Sequence, residues 1–298
     1  MTTRAVDFLA RALANPLAWA SRHSGWAVRM VRALPRRVRI AVVEAAEGHP
    51  LFRKRVELSE RGIRLDLDSS DDLARRVLFG AYEVDELALL PTLVAPGETC
   101  VDVGANIGLY TTALAQLVGP GGHVLAFEAD PRNVEQLKRN VGLNGFDRRV
   151  SIHEVAVMES DGTVEFNMRA TGYSGHGSVH RYEGHETSTS VPTVSLDTVL
   201  EAESIDEVAL LKVDVEGADM DVYAGARRAL KRQAFRYILA EWNGFWFPGL
   251  GWSVERFLGF FADYGYRPAR PGLRSWNRLM QDPVGHEDWV VNVLFERS

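Results

Sequence analysis

Apolar positions follow a helical spacing at the start of the chain and give way further on to short continuous runs. Val6, Leu9, Leu13 and Leu17 recur every third or fourth residue, Pro16 interrupts them, and Trp26–Leu34 is a second amphipathic stretch. Helices are therefore expected up to about residue 56. From Leu78 the pattern changes. Thr99–Val103, His123–Phe127, Val150–Val157, Ala209–Val213, Tyr237–Ala240 and Trp289–Phe295 are strand candidates rich in Val, Leu, Ile and Phe. Between them lie candidate helices: Leu109–Val118, a segment through Val134, Leu137 and Val141, Ala218–Leu230, and Val254–Tyr264. Asp130-Pro131 suits a helix start and Asn144-Gly145 a helix end. Asp161-Gly162 marks a turn ahead of Thr163–Met168, so an inserted hairpin is expected. Repeated β-α alternation with continuous apolar strands predicts an α/β fold, a mainly parallel sheet covered by helices on both faces. A basic, helical extension over residues 1–77 would precede a domain over 78–298.

Composition narrows the function classes. The 298 residues are 46% hydrophobic and 25% charged, the balance of an ordinary globular protein. Arg or Asp interrupts each apolar run before the roughly 20 residues a transmembrane helix needs. Asp7 and Arg11 break any signal-peptide core. A soluble, cytoplasmic protein without a transmembrane segment is expected. The one cysteine, Cys100, excludes an internal disulfide and a Cys-based zinc cage. Residues 1–55 carry 11 Lys or Arg against 3 Asp or Glu, a net +8 within a chain of net −6. The remaining body is therefore at −14, which argues against general nucleic-acid binding. The basic start is read as a packed extension, a lid over substrate, a membrane-surface helix or a homo-oligomer contact.

The most informative segment is Val101-Asp102-Val103-Gly104-Ala105-Asn106-Ile107-Gly108, between the first strong strand and its helix, where doubly wound folds bind nucleotides. Gly104 and Gly108 let the backbone approach a ligand closely, and Asn106 tolerates a positive φ. The spacing is not the dinucleotide fingerprint G-x-G-x-x-G. Asp102 at the turn would repel a pyrophosphate and attract a cation, by about 4 kcal/mol at 4 Å for an effective dielectric of 20. S-adenosylmethionine, with an ammonium, a sulfonium and no phosphate, fits better than NAD. Glu128 ends the next strand, where an acidic side chain accepts ribose hydroxyls.

A second constellation follows in Leu211-Lys-Val-Asp214-Val-Glu216-Gly217, which ends a strand and opens a helix. Asp214 and Glu216 are two apart and share a face on extended chain. Glu241 ends the neighbouring strand. Parallel strands bring these ends to the rim that holds the glycine turn, so the three carboxylates are candidates for accepting a proton or arranging a nucleophile. A divalent ion such as magnesium on them stays open, with no metal ligand assigned; the bland alternative is helix capping. Arg169–Ser190 reads as a Gly-, Ser- and His-rich loop over the substrate, with His176 or Ser178 orienting it. Its histidines, His176, His180 and His185, match no closed zinc pattern. Trp242, Phe245, Trp246, Phe247 and Trp252 crowd the segment after Glu241. Trp242 and Trp246 are candidates for an apolar acceptor pocket, with a dimer contact or a cover for the rim as the competing role.

Four blocks resemble the FkbM family of S-adenosylmethionine-dependent methyltransferases: Tyr82-Glu83, Asp102-Val-Gly-Ala-Asn-Ile-Gly108, Phe127-Glu128-Ala129-Asp-Pro131 and Lys212-Val-Asp214-Val-Glu216-Gly217-Ala218. The resemblance covers residues 78–298. It implies a class I, Rossmann-like seven-stranded sheet. It also implies donor contacts from Asp102, Gly104, Asn106, Gly108, Glu128 and Ala129, with Tyr82 and Glu83 at the methionine end. The activity it implies is methylation of a hydroxyl on a small molecule such as a sugar or polyketide. Rivals are nitrogen or carbon methylation, an NAD-dependent oxidoreductase, and a non-catalytic binding protein.

Overall fold

A run such as VALLKV, buried at every position, is stable only as a strand covered on both faces. The computed structural model describes residues 30–45, 55–60, 62–169, 173–181, 185–269 and 290–298. The chain divides into two compact units, Met1–Val84 with Ala170–Gly175, and Asp85–Arg169 with His176–Ser298.

In the first unit, α1 (Arg36–Ala45) precedes a hairpin of β1 (Arg55–Glu60) and β2 (Ile63–Asp68), followed by α2 (Asp72–Leu78). The hairpin departs from the helical expectation for residues 1–77. In β2, Ile63, Leu65 and Leu67 are buried and alternate with polar Arg64 and Asp66, a period of two that suits one packed face. Asp71 caps α2 through Ala74 N–H, and the Arg32 guanidinium donates to the Val77 and Leu78 carbonyls at its far end. The expected helix around Val6–Leu17 and residues 26–29 of the second stretch lie outside the described residues.

The second unit opens with the helix α3, which begins at the unit boundary (Val84–Leu93). It then alternates β3 (Thr99–Val103), α4 (Leu109–Val118), β4 (His123–Phe127), α5 (Pro131–Leu143) and β5 (Val150–His153). Three short strands follow, β6 (Ala156–Val157), β7 (Gly162–Arg169) and β8 (His185–Val194), then α6 (Leu196–Ala202) and β9 (Val208–Val213). The unit ends with α7 (Asp219–Ala224), α8 (Arg227–Lys231), β10 (Phe235–Asn243), α9 (Val254–Asp263), β11 (Tyr266–Pro268) and β12 (Val290–Arg297). Seven strands form one sheet in the order β11-β12-β10-β9-β3-β4-β5, parallel apart from β12. A separate sheet, β6-β8-β7, holds the inserted hairpin.

Three boundaries differ from the sequence expectation. The strand expected over Val150–Val157 splits, because Ala156–Val157 leaves the main sheet to pair with β8. The last six residues of the expected 169–190 loop, 185–190, are strand, paired along β7. The helix expected over Ala218–Leu230 breaks after Ala224, where the Asp197 carboxylate accepts from Arg228 and Ala229 N–H and starts α8 anew.

Strand order places the ligand crevice. From β3 the chain moves outward through β4 and β5, then returns to the other flank of β3 as β9. Connections therefore diverge at the carboxyl ends of β3 and β9, where open α/β sheets bind ligands.

Candidate active site

Gly104 follows β3 with φ +78°, and a Cβ there would lie 1.8 Å from the Asp214 carbonyl oxygen at the end of β9. Only glycine allows the two strand ends to meet. Gly104 and Ala105 N–H donate to the Phe127 carbonyl at 3.0 and 2.9 Å, which ties the turn to β4. Asn106, at φ 50°, donates its N–H to Glu128 Oε2 at 2.7 Å. Glu128 Oε1 accepts from Asp130 N–H at 2.8 Å and Asn133 Nδ2 at 3.4 Å. Glu128 thus holds the turn and keeps lone pairs for a ligand. Burial pushes its carboxyl up to about 7 against those hydrogen bonds. Gly108, at φ +88°, begins α4, and Ala129 packs on the small sheet's Ala156–Phe166–Val191 core.

Asp102 is inside the protein, with no exposed surface, and not at the mouth of the turn as the electrostatic reading expected. Thr111 Oγ1 donates to its Oδ2 at 2.6 Å, and Lys212 Nζ stands 4.0 Å from Oδ1. The two residues are register partners on β3 and β9. Lys212 also reaches Asp214 Oδ2 at 3.1 Å and the Gly104 carbonyl at 3.5 Å. Burial raises the Asp102 carboxyl, and Lys212 and Thr111 oppose it. Its carboxyl faces Lys212 and Thr111 and not open solvent.

Asp214, Glu216 and Glu241 interact through their charges, with Asp219 among them, although Asp214 and Glu216 lie beyond β9 and the Glu216 backbone is left-handed where the sequence reading assumed extended chain. Burial and the charges of Asp214 and Asp219 push the Glu216 carboxyl up to about 8, while the Trp246 indole, donating to it, and Lys212 pull it back. Asp219, fully buried, is pushed up to about 7 by burial and Asp214, with Gly217 N–H donating to its Oδ2 at 3.2 Å. Glu241 is held well above the carboxylate range by burial and by Asp214, Glu216 and Asp219, and Asn243 donates to it at 2.9 Å. Glu216 has φ 52°, a left-handed backbone that a non-glycine residue adopts at a cost of about 1–3 kcal/mol.

The segment ahead of β8 is fastened at this rim. Ser178 and Asn167 exchange both backbone hydrogen bonds, and Ser178 Oγ donates to the Glu216 carbonyl at 2.7 Å while accepting from His180 N–H at 3.0 Å. Ser178 therefore builds the site, and its hydroxyl is committed before a substrate arrives. His176 serves through its carbonyl, which faces His185 Nε2 at 3.1 Å. Trp246 lies over Gly217, where a Cβ would come 2.6 Å from its ring, and His180 flanks it at 5.9 Å between centroids.

Trp242 is a correction to the acceptor-pocket expectation. It is 4% exposed and packs edge-on to Phe247 and Phe257, at 5.1 and 5.6 Å. Strand alternation explains this: Glu241 and Asn243 share one face of β10, and Trp242 points from the other into the α9 core. Tyr82 and Glu83 belong to the first unit, Glu83 at φ 38°. Among the described residues no group of three or more His, Cys, Asp or Glu is arranged to hold a metal, and no helix is long and apolar enough to cross a membrane.

The family model of the Methyltransferase FkbM domain matches residues 102–268, from the buried Asp102 through β11. The chain belongs to the FkbM methyltransferase family. It is 27% identical to the 2-O-methyltransferase NoeI of Sinorhizobium fredii over 50% of this chain and 65% of that one. It is 28% identical to the hexuronic acid methyltransferase AglP of Haloferax volcanii over 68% and 78%. A solved FkbM methyltransferase from Methylobacillus flagellatus aligns with a TM-score of 0.42 and 16% identity, covering 78% of this chain and 56% of that one. The FkbM family is one of S-adenosylmethionine-dependent methyltransferases, and this chain spans 65% of the length of NoeI.

In this FkbM methyltransferase, sequence reasoning missed Asp219, Tyr223 and the charge of Lys212, and weighed His180 only as a zinc ligand. Lys212 lay inside a quoted block, and a lysine in an otherwise apolar strand was the available signal: buried lysines are paired. Asp219 and Tyr223, four apart, lie on one helix face, but only the fold turns that face toward Glu241.

Proposed function

We propose that the enzyme methylates a hydroxyl oxygen of a sugar-like small molecule, with Glu216 as the proton acceptor. The observation that carries this reading is the convergence of Asp214, Glu216 and Glu241 beside the glycine turn, with Trp246 against Glu216. The names of the two relatives, a 2-O-methyltransferase and a hexuronic acid methyltransferase, support a hydroxyl-rich acceptor.

The residues fit the donor. Lys212 faces Asp102, Asp214 and Glu216, an acidic setting that suits a cation better than a pyrophosphate. Gly104, Asn106 and Gly108 would lie under the donor, with Ala129 beside it. Glu128 would accept ribose hydroxyls on its remaining lone pairs, and Asp102 would act from beneath. When bound, S-adenosylmethionine supplies an already activated methyl, so most of the rate comes from aiming the acceptor. Trp246 and the 176–180 segment orient the acceptor, and Glu216 takes the hydroxyl proton as the oxygen bonds to the methyl carbon and the donor's sulfur–carbon bond breaks, its electron pair staying on sulfur. Lys212 favours the ionised Glu216 carboxylate, and Asp214 opposes it. No metal is assigned.

The test supplies ¹³C-methyl donor and a panel of hexoses and hexuronic acids to the full chain. Carbon shifts of the product distinguish methyl on oxygen from methyl on nitrogen or carbon. Glu216→Gln should retain donor binding by calorimetry and lose about 10²–10⁴-fold in turnover. A nitrogen- or carbon-methyl product, or an unimpaired Glu216→Gln, would overturn the proposal.

A further inference from the structure

The turn after β10 carries two large apolar side chains into solvent. Phe245 is 61% exposed and Leu250 42%, and among the described residues only Met30 and Val290 are large apolar side chains left as open. Scattered exposed apolar residues are ordinary, whereas a pair in one short turn at the rim of a site marks a contact surface. A slack loop does not account for the exposure. Asn243, 2% exposed, accepts the Phe245 and Trp246 N–H groups on its Oδ1 at 3.2 and 3.3 Å, and its carbonyl accepts from Phe247 N–H at 2.9 Å. The Phe247 carbonyl accepts from Leu250 and Trp252 N–H at 3.1 and 2.8 Å. Phe247 itself is fully buried against Trp242 and Phe257, with ring centroids at 5.1 and 5.8 Å. The core thus grips one aromatic of the turn while another is held outside.

Asn243 also sets the turn against the chemistry. Its Nδ2 donates to Glu241 Oε1 at 2.9 Å, so one buried side chain spans Glu241 and the Phe245–Trp246 pair. The Trp246 ring lies over Gly217, beside Glu216, where a Cβ would come within 2.6 Å of it. The Phe245 ring follows, 5.0 Å from the Trp246 ring and nearly perpendicular to it at 83°. Outward from Glu216 the surface therefore runs over two aromatic rings in contact, Trp246 half-buried and Phe245 open. The step between them is comparable to the length of one sugar ring.

We propose that Phe245 is the platform of a second acceptor subsite, which takes the sugar ring next to the one that is methylated. The acceptor is then an oligosaccharide and not a free monosaccharide. This inference rests on the reading of the acceptor as a sugar. A pyranose suits the platform because its faces carry C–H groups while its hydroxyls point outward around the ring. Stacked on an exposed aromatic, it covers apolar surface and keeps those hydroxyls in water. An alkyl chain gains most when it is enclosed, and Gly244, Pro248, Gly249 and Gly251, the neighbours of Phe245 and Leu250 in the turn, supply no long side chains to enclose it. A ring already fixed by its turn also loses little freedom on binding.

Calorimetry with S-adenosylhomocysteine present measures acceptor binding to the full chain without turnover. Methyl glycosides of hexoses and hexuronic acids are compared with the matching disaccharide glycosides. The parent should bind its best disaccharide about tenfold more tightly than the corresponding monosaccharide, the gain expected from covering roughly half of a phenylalanine side chain. Phe245→Ala should shrink that preference to less than about twofold, and Phe245→Tyr, which keeps the flat ring, should retain it. A parent that binds mono- and disaccharide alike, or a Phe245→Ala protein that keeps the preference, overturns the proposal and leaves the sugar reading intact. A parent that binds neither removes both. An octyl glycoside that binds as tightly as the disaccharide and loses its advantage in Phe245→Ala overturns the proposal in favour of an apolar occupant. A Phe245→Ala protein whose molar mass by light scattering halves overturns it in favour of a subunit contact. Because binding is read without methyl transfer, a nitrogen- or carbon-methyl product would remove the proposed reaction and leave the subsite standing.

Discussion

Replacing Glu128 by glutamine exposes how much the donor-side carboxylate costs the ligand-free fold. Glu128 is 5% exposed, and its carboxyl is pushed from an ordinary 4.5 to about 7, chiefly by burial. The folded state therefore holds the proton more tightly than the unfolded chain. Its contribution is full below about pH 4.5, declines as pH rises, and is gone above about pH 7. The rise of about 2.5 units corresponds to about 3 kcal/mol lost across that window. Glutamine never ionises, so the variant escapes this loss. It offers one acceptor oxygen where glutamate has two, so either Asn106 or Asp130 N–H, now bonded at 2.7 and 2.8 Å, loses its partner. That costs about 1–3 kcal/mol at any pH. Glu128→Gln should then be less stable than the parent at pH 5, with the gap closing or inverting near pH 8. Urea unfolding of both proteins without donor, at half-unit pH steps, measures the difference directly. The other raised carboxyls, Asp102, Glu216, Asp219, Asp221 and Glu241, are common to both proteins and cancel. A stability difference that stays constant from pH 5 to 8 would refute the reasoning.

Lys212→Met leaves Asp102 buried without its cation and should cost about 3–5 kcal/mol at neutral pH in a thermal or urea melt, with a smaller loss in acid where Asp102 takes a proton. Gly104→Ala drives a methyl to 1.8 Å from the Asp214 carbonyl, so the variant should be insoluble or at least about 4 kcal/mol less stable, as expression and circular dichroism will show. Trp242→Ala and Trp246→Phe separate core from site. The first should lose about 3–5 kcal/mol of stability. The second should lose less than about 1.5 kcal/mol, with a raised acceptor KM and unchanged donor affinity by calorimetry.

Much of the fold was legible because its strands and helices are locally consistent. Thr99–Val103, His123–Phe127 and Leu109–Val118 have the bounds that their apolar runs predict. The Asp130-Pro131 start of α5 is a capping interaction between neighbours. Failures came where a distant partner chose. Ala156–Val157 is apolar enough for the main sheet, yet pairs with β8. The Ala218–Leu230 helix breaks because Asp197, from α6, caps its second half.

The sequence by itself determined the order of elements, the glycine turn between β3 and α4, and the acidic strand ends. These depend on backbone conformation and side-chain spacing over a few residues. Tertiary structure alone decided which carboxylates do what. It enclosed Asp102 with Lys212, set Trp242 in the core and Trp246 over Gly217, and turned Asp219 and Tyr223 toward Glu241. Burial and through-space charge set the ionisation of each group, and both depend on neighbours far away in the chain.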